Sequence, residues 1–69
     1  MDDQERAERM LRKRFARERR TYGLLPKTES VEYLGISGKY HDFGVKFTNG
    51  ETDIFQVRLY AKSAKIWRA

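Results

Sequence analysis

The residues best equipped for chemistry in this chain are its arginines. Arg9, Arg12, Lys13, Arg14, Arg17, Arg19 and Arg20 crowd one short stretch against the single carboxylate of Glu18, leaving a local charge of +6. A guanidinium is a planar fork that bonds phosphate oxygens two at a time, so a cluster of them suits a polyanionic partner. Without such a partner the same crowding repels itself and is mildly destabilising. The competing account is a solvated face held by pairs four residues apart. Asp2–Arg6, Glu5–Arg9 and Glu8–Arg12 all have the favourable acid-first order, at about 0.2–0.5 kcal/mol each. Those pairs explain the start of the segment but not residues 9–20.

Other chemistry is poorly provided for. His41 is the only histidine and cysteine is absent, which excludes multi-histidine and thiolate metal sites and any disulfide framework. Ser30, Ser37 and Ser63 stand in no nucleophile elbow. The glycines form no phosphate-cradling loop ahead of a helix. His41 and Asp42 are neighbours, and in a strand neighbours point to opposite faces. We expect no catalytic residue, no cofactor and no metal, and read the chain as non-enzymatic.

The element that must carry the cations is a helix from Asp2 to Tyr22. Asp2 and Glu5 have capping-box spacing, and Asp2, Asp3 and Glu5 put negative charge at the positive end of the helix dipole. Neither Gly nor Pro occurs before Gly23. Gly23 suits a left-handed C′ position, Leu24 can fold back after it, and Pro26 blocks continuation. At about 100° per residue, Ala7, Leu11, Phe15 and Tyr22 fall in a sector of roughly 80°, with Met10 beside it. Arg6, Arg9, Arg12, Lys13, Arg17, Arg19 and Arg20 take the opposite side. Arg14 lies at the stripe's edge. Glu18 points into its middle, a fault that a basic partner or a lifted last turn would resolve.

After a connector from Leu24 to Thr28 the hydrophobic period changes to two. Ser30–Ile36 reads as a strand, Ser37-Gly38 as a turn, Lys39–Thr48 as a second strand and Asp53–Leu59 as a third. Asn49-Gly50 signals a hairpin. A two-residue loop would set Phe43, Val45 and Phe47 opposite in face to Phe55, Val57 and Leu59. A three-residue loop, Thr48-Asn49-Gly50 with Gly50 left-handed, puts all six on one face, and register follows the buried face. The expected core is Leu11, Phe15 and those six. Tyr60–Ala69 is open between a short helix (Ala61, Ala64, Trp67 at spacing three) and a fourth strand (Ala64 and Ile66 alternating). Trp67 is expected as a core or edge plug. Ile54, Tyr33 and Tyr40 do not fit a one-sided core and mark a second, partly apolar face.

The expected whole is one α+β domain over residues 1–69. A basic amphipathic helix (2–22) packs on a three-stranded antiparallel meander (29–60), closed by a short helix or fourth strand (61–69). Sixty-nine residues at a net charge of +5 lie near the lower size limit for folding without staples. No apolar run approaches the ~20 residues that span a bilayer, and no signal peptide is recognisable, so a soluble cytoplasmic protein is expected. The apolar stripe is too narrow for an interfacial membrane helix. A basic chain favours nucleic acid or an acidic protein as partner.

Gly38-Lys39-Tyr40-His41-Asp42-Phe43, read as Gly-x-x-His-x-Phe entering a strand, resembles the histidine region of HicA-type toxin ribonucleases. It is also similar to the Gly-Pro-x-His loop of double-stranded-RNA-binding domains. The resemblance covers six residues and an element order. It implies an α-β-β-β-α fold and, for the toxins, ribonuclease chemistry at His41. The chain departs from those patterns in having no second histidine before His41, no proline after Gly38, a far more charged first helix and a short closing segment. The amino-terminal helix is similar in composition to the arginine-rich RNA-binding helices of phage antiterminators.

Two functions follow from the residues. The first is a nucleic-acid-binding domain, RNA or DNA, with Arg9, Arg12, Lys13, Arg17 and Arg20 on phosphates and Arg6 and Arg19 flanking. The second is a small protein-interaction module, a regulator or inhibitor of phage-accessory type, docking on an acidic protein through the helix, the open sheet face or an edge strand.

Overall fold

The computed structural model describes residues 2–22 and 27–69, with the side chains of residues 20–22 outside that description. The expected helix stop at Gly23, the fold-back of Leu24, the turn at Pro26, the position of Tyr22 on the stripe and the side chain of Arg20 therefore lie outside the described residues. A single helix, α1 (Asp3–Tyr22), packs on an antiparallel sheet of β1 (Thr28–Ser37), β2 (Tyr40–Phe47), β3 (Thr52–Leu59) and β4 (Ala64–Arg68). The strands lie in chain order, β1-β2-β3-β4. The class is α+β, and the closing segment is a strand.

α1 starts where capping chemistry puts it. The Glu5 amide donates to Asp2 Oδ1 at 2.8 Å and the Arg6 amide to the Asp2 carbonyl at 3.0 Å, so Asp2 satisfies donors that the first turn leaves orphaned. The stripe it presents is buried: Ala7 and Leu11 fully, Phe15 nearly so. Phe15 meets Phe47 and Phe55 edge to face, with ring centroids 5.8 and 5.0 Å apart. Such pairs contribute about 0.5–1.5 kcal/mol beyond the area they bury.

The second strand alternates without a fault, burying His41, Phe43, Val45 and Phe47 against the helix. Phe43 faces Phe55 across the β2–β3 pair, odd against odd. Thr48-Asn49-Gly50 is the loop. Phe47 N–H donates to Glu51 O at 2.9 Å, Gly50 N–H donates to Phe47 O at 3.0 Å, and Gly50 has φ +91°. The three-residue register is therefore correct. Of the expected core residues only Leu59 is partly rather than fully buried, and Ala7 joins the others.

Three expectations need correction. His41, whose position in a turn-to-strand motif suits a surface or turn histidine, lies in the core face at 6% exposure, and its Nδ1 is 3.0 Å from the Tyr33 hydroxyl. Trp67, expected as a core or edge plug, lies part-buried on the edge strand and not in the core. In β4, Ala64 pairs with Leu59 and Ile66 with Val57, which turns those two inward and sends Lys65 and Trp67 to the outer face. The second helix implied by the toxin and RNA-binding-domain resemblance is replaced by that strand. The first strand also carries more irregularity than its pattern shows. Register shifts at Glu29 and Leu34 flip its alternation, so Tyr33 packs inward on Phe43 while Leu34 lies outside over Gly44. Bulges of this kind bend an edge strand and blunt it against stray pairing.

Candidate nucleic-acid interface

The helix cations divide into two groups by what their head groups meet. Arg6 reaches down to the β3–β4 turn, where its Nη2 donates to Tyr60 O, and also lies 3.3 and 3.5 Å from the carbonyls of Ala61 and Ser63. Arg14 donates from Nε to Glu18 at 2.8 Å and from Nη1 to the edge carbonyl Ile66 O at 2.9 Å. The misplaced acid of the stripe thus has a basic partner four residues away, and the pair together ties α1 to the free edge of β4. These contacts orient the helix: it starts above the β3–β4 turn and runs toward the β2–β3 hairpin, where Phe15 lodges.

The remaining expected site residues face solvent. Arg9, Lys13 and Arg17 are exposed and Arg19 is half-buried. None of the four has a carboxylate partner among the described residues. Arg12 is exposed but held by Glu8 at 3.1 Å, an arrangement worth a few tenths of a kcal/mol in water. The Asp2–Arg6 and Glu5–Arg9 pairs expected from spacing are not formed. Of the seven cations nominated from the sequence, Arg9, Lys13 and Arg17 form an exposed set, Arg19 is half-buried, Arg12 is partly engaged and Arg6 is structural. The side chain of Arg20 lies outside the described residues.

A further cation joins the face from the other end of the chain. Between α1 and β4 runs an open groove floored by Met10, Ala64 and Ile66, with Lys13 and Arg17 on one bank and Lys62 on the other. Sequence reasoning missed Lys62 because its turn was not distinguishable from a helix. Alternation of Ala64 and Ile66, had it been preferred, would have set Lys62 in a turn beside the helix.

The outer face of the sheet can be laid out in rows by register. Tyr40, Arg58 and Lys65 form one row; Asp42, Gln56 and Trp67 the next; Gly44 and Ile54 a third. The middle row is a hydrogen-bonded chain in which Trp67 Nε1 donates to Gln56 Oε1 at 2.9 Å and Gln56 Nε2 to Asp42 Oδ1 at 3.0 Å. Tyr40 and Trp67 meet above β3 with centroids 5.1 Å apart. The Arg58 guanidinium lies 5.1 Å from the centre of the Tyr60 ring.

Among the described residues no group of three or more His, Cys, Asp or Glu side chains is placed to hold a metal ion, and no helix is long and apolar enough to cross a membrane. Compared with known proteins, the chain matches no family model, no curated protein and no solved structure.

Proposed function

We propose that this chain is a small nucleic-acid-binding domain that grips a phosphate backbone with the solvent side of α1 and with Lys62. The observation that carries this reading is the free cation set. Lys13, Arg17 and Lys62 border one groove, and Arg9 shares a neighbouring depression with Lys13, Glu5 and Glu8. None of the four cations has a carboxylate partner among the described residues, although the same helix satisfies Arg6 and Arg14 internally. Cations left unpaired on a rigid, docked helix repel one another until an anion arrives. Phosphates bound there release condensed counterions, which makes affinity steeply salt-dependent. Phosphate contacts of this kind fix position on the backbone and carry no sequence information by themselves.

The test is a salt titration with duplex DNA and with hairpin RNA. Four or five phosphate contacts give a log–log slope of about −4 on duplex DNA, at about −0.9 per contact. The combined variant Lys13→Glu, Arg17→Glu, Lys62→Glu should lose binding while unfolding at the parent temperature. A flat salt response would dispose of the reading.

A second reading, a protein-interaction module docking on an acidic partner, is supported by the third row of the outer face. Leu34 and Ile54 are half exposed on either side of Gly44. Gly44 has an ordinary φ, and a methyl added there would meet only Leu34 side-chain carbons, at 3.6 Å and beyond. The fold does not require that gap, and a glycine in mid-strand suits close approach by another molecule. On this reading Leu34→Lys abolishes function and the helix reversals do not.

A further inference from the structure

We propose that the β3–β4 end of the outer sheet face is a second site, one that binds single-stranded nucleic acid by stacking bases on Tyr40, Tyr60 and Trp67 and holding phosphates with Arg58 and Lys65. It rests on the sheet alone and stands whether or not α1 binds a duplex.

The aromatic content of this corner is not explained by the core. The core needs one face of the sheet, and α1 already covers it with Leu11 and Phe15. Tyr40 and Trp67 lie on the other face, partly exposed, and meet each other across β3. Tyr60 follows at the end of β3, exposed, with Arg58 beside its ring. Large rings left on an open surface expose apolar area that folding does not use. A base is a flat apolar ligand able to cover them, and stacking on an aromatic side chain is worth about 1–3 kcal/mol per base.

Charge selects the occupant. The row Tyr40–Arg58–Lys65 contains two cations and no carboxylate. The nearest acid on that face, Asp42, is one row away and already accepts from Gln56. At the opposite end of the face the cation Lys46 is paired with Glu29 at 3.3 Å. The sheet therefore grades from a neutralised end to a cationic, aromatic end, and Lys62 lies in the turn just beyond it. A ligand that is both flat and anionic at each repeat matches this corner, and a nucleotide strand has that repeat. A rigid duplex cannot lay its base faces on a sheet, so the ligand is unpaired.

Trp67 is the only tryptophan, so its fluorescence reports the site directly. The full chain is titrated with ten-nucleotide oligouridylate and with ten-nucleotide oligothymidylate. We expect saturable quenching that weakens with salt, and at least a ten-fold loss of affinity for Arg58→Glu with Lys65→Glu. Quenching should be unaltered by Lys13→Glu with Arg17→Glu. If the double charge reversal fails to unfold cooperatively, Arg58→Gln with Lys65→Gln replaces it, with a loss of at least three-fold expected. Equal affinity for the two oligomers assigns the site to bases and phosphates, and tighter RNA binding adds the 2′-hydroxyl; either supports the proposal. Absence of quenching at millimolar oligonucleotide overturns it. So does quenching abolished by the helix variants but not by those of Arg58 and Lys65, or a Trp67 signal that depends on protein concentration alone, which would mean a second copy covers the face. Loss of duplex binding with intact quenching removes the helix reading and leaves this one.

Discussion

Two sets of cations on one helix, only a few residues apart, are used in opposite ways. Arg6 and Arg14 lean over the side of α1 that meets β4 and give their donors to backbone carbonyls at the end and edge of the sheet. Among the described residues Arg9, Lys13 and Arg17 have no such acceptor, and all three are exposed. Residue type does not distinguish the sets, and neither does local sequence. The difference is whether an unpaired carbonyl lies within reach of a long side chain. An edge strand presents such carbonyls by necessity, because one side of it has no ladder partner. The Ile66 carbonyl meets Arg14, which both fixes the helix and closes part of the edge to pairing with another chain. What remains exposed on α1 is therefore a surface with no use inside the fold.

The severest way to erase this contrast is to undock the helix. Phe15→Ala removes the ring lodged between Phe47 and Phe55 and should cost about 3–5 kcal/mol. That is most of the stability of a domain at the low end of about 5–15 kcal/mol. Chemical denaturation with far-UV circular dichroism would show it as a large drop in midpoint. A midpoint like the parent's would mean that α1 is not held by its stripe, and that the two sets of cations are not different.

Arg14→Ala tests the stapling set by itself. It removes one charge-assisted and one carbonyl hydrogen bond and leaves Glu18 facing the apolar stripe alone. Because both side chains are part exposed, at 41% and 31%, the cost should be about 1–2 kcal/mol, read from the same denaturation curves. Amide exchange should also quicken along β4, whose edge carbonyl loses its partner. If stability and exchange are unchanged, the staple contributes nothing and Arg14 belongs with the free cations.

Much of this contrast was hidden in the sequence, for identifiable reasons. Helix extent, cap and stripe were legible because each is a local pattern: Asp2 and Glu5 at capping distance, and Ala7, Leu11 and Phe15 at helical spacing. The β2–β3 register was legible too, because only a three-residue loop puts Phe43 and Phe55 on one face. Arg6 was not. Its acceptors lie 54 to 57 residues away, and a helical wheel sets it among the cations opposite the stripe. The closing segment stayed open between helix and strand, since five residues of strand carry too few alternations to decide against a chance spacing of three in Ala61, Ala64 and Trp67. Hydrogen bonding to β3 decides that segment, and the partner strand is not visible in its local pattern. The register shifts of β1 were equally silent, so Tyr33 was expected on the second face, whereas it packs inward on Phe43.

A smaller effect serves as a control on both sets. Gly50→Ala touches neither. It forces a side chain into φ +91° in open space, so its cost is conformational and should be about 1 kcal/mol. Thermal unfolding should report that loss while the salt dependence of nucleic-acid binding stays at the parent slope. A changed slope would show that the outward face is set by hairpin stability rather than by its own cations.

The smallest expected change in stability belongs to the outward set, and it sharpens the contrast most. Arg17→Ala removes a cation with no carboxylate partner among the described residues and, at an exposed helix position, replaces arginine with a residue of better helix propensity. The thermal midpoint should stay where it was or rise slightly as self-repulsion falls. The consequence should appear only with nucleic acid present. If Arg17 meets one phosphate, the slope of log affinity against log salt becomes shallower by about 0.9, and binding weakens similarly for unrelated duplex sequences. Arg9→Ala should do the same, and the two should add because they occupy separate turns of the helix. Arg14→Ala behaves in the opposite manner, lowering stability with little change in slope. Measuring both quantities for all three variants separates a cation that holds the fold from one that holds a ligand. Equal slopes in Arg9→Ala, Arg17→Ala and the parent would show that the free face of α1 serves solubility alone.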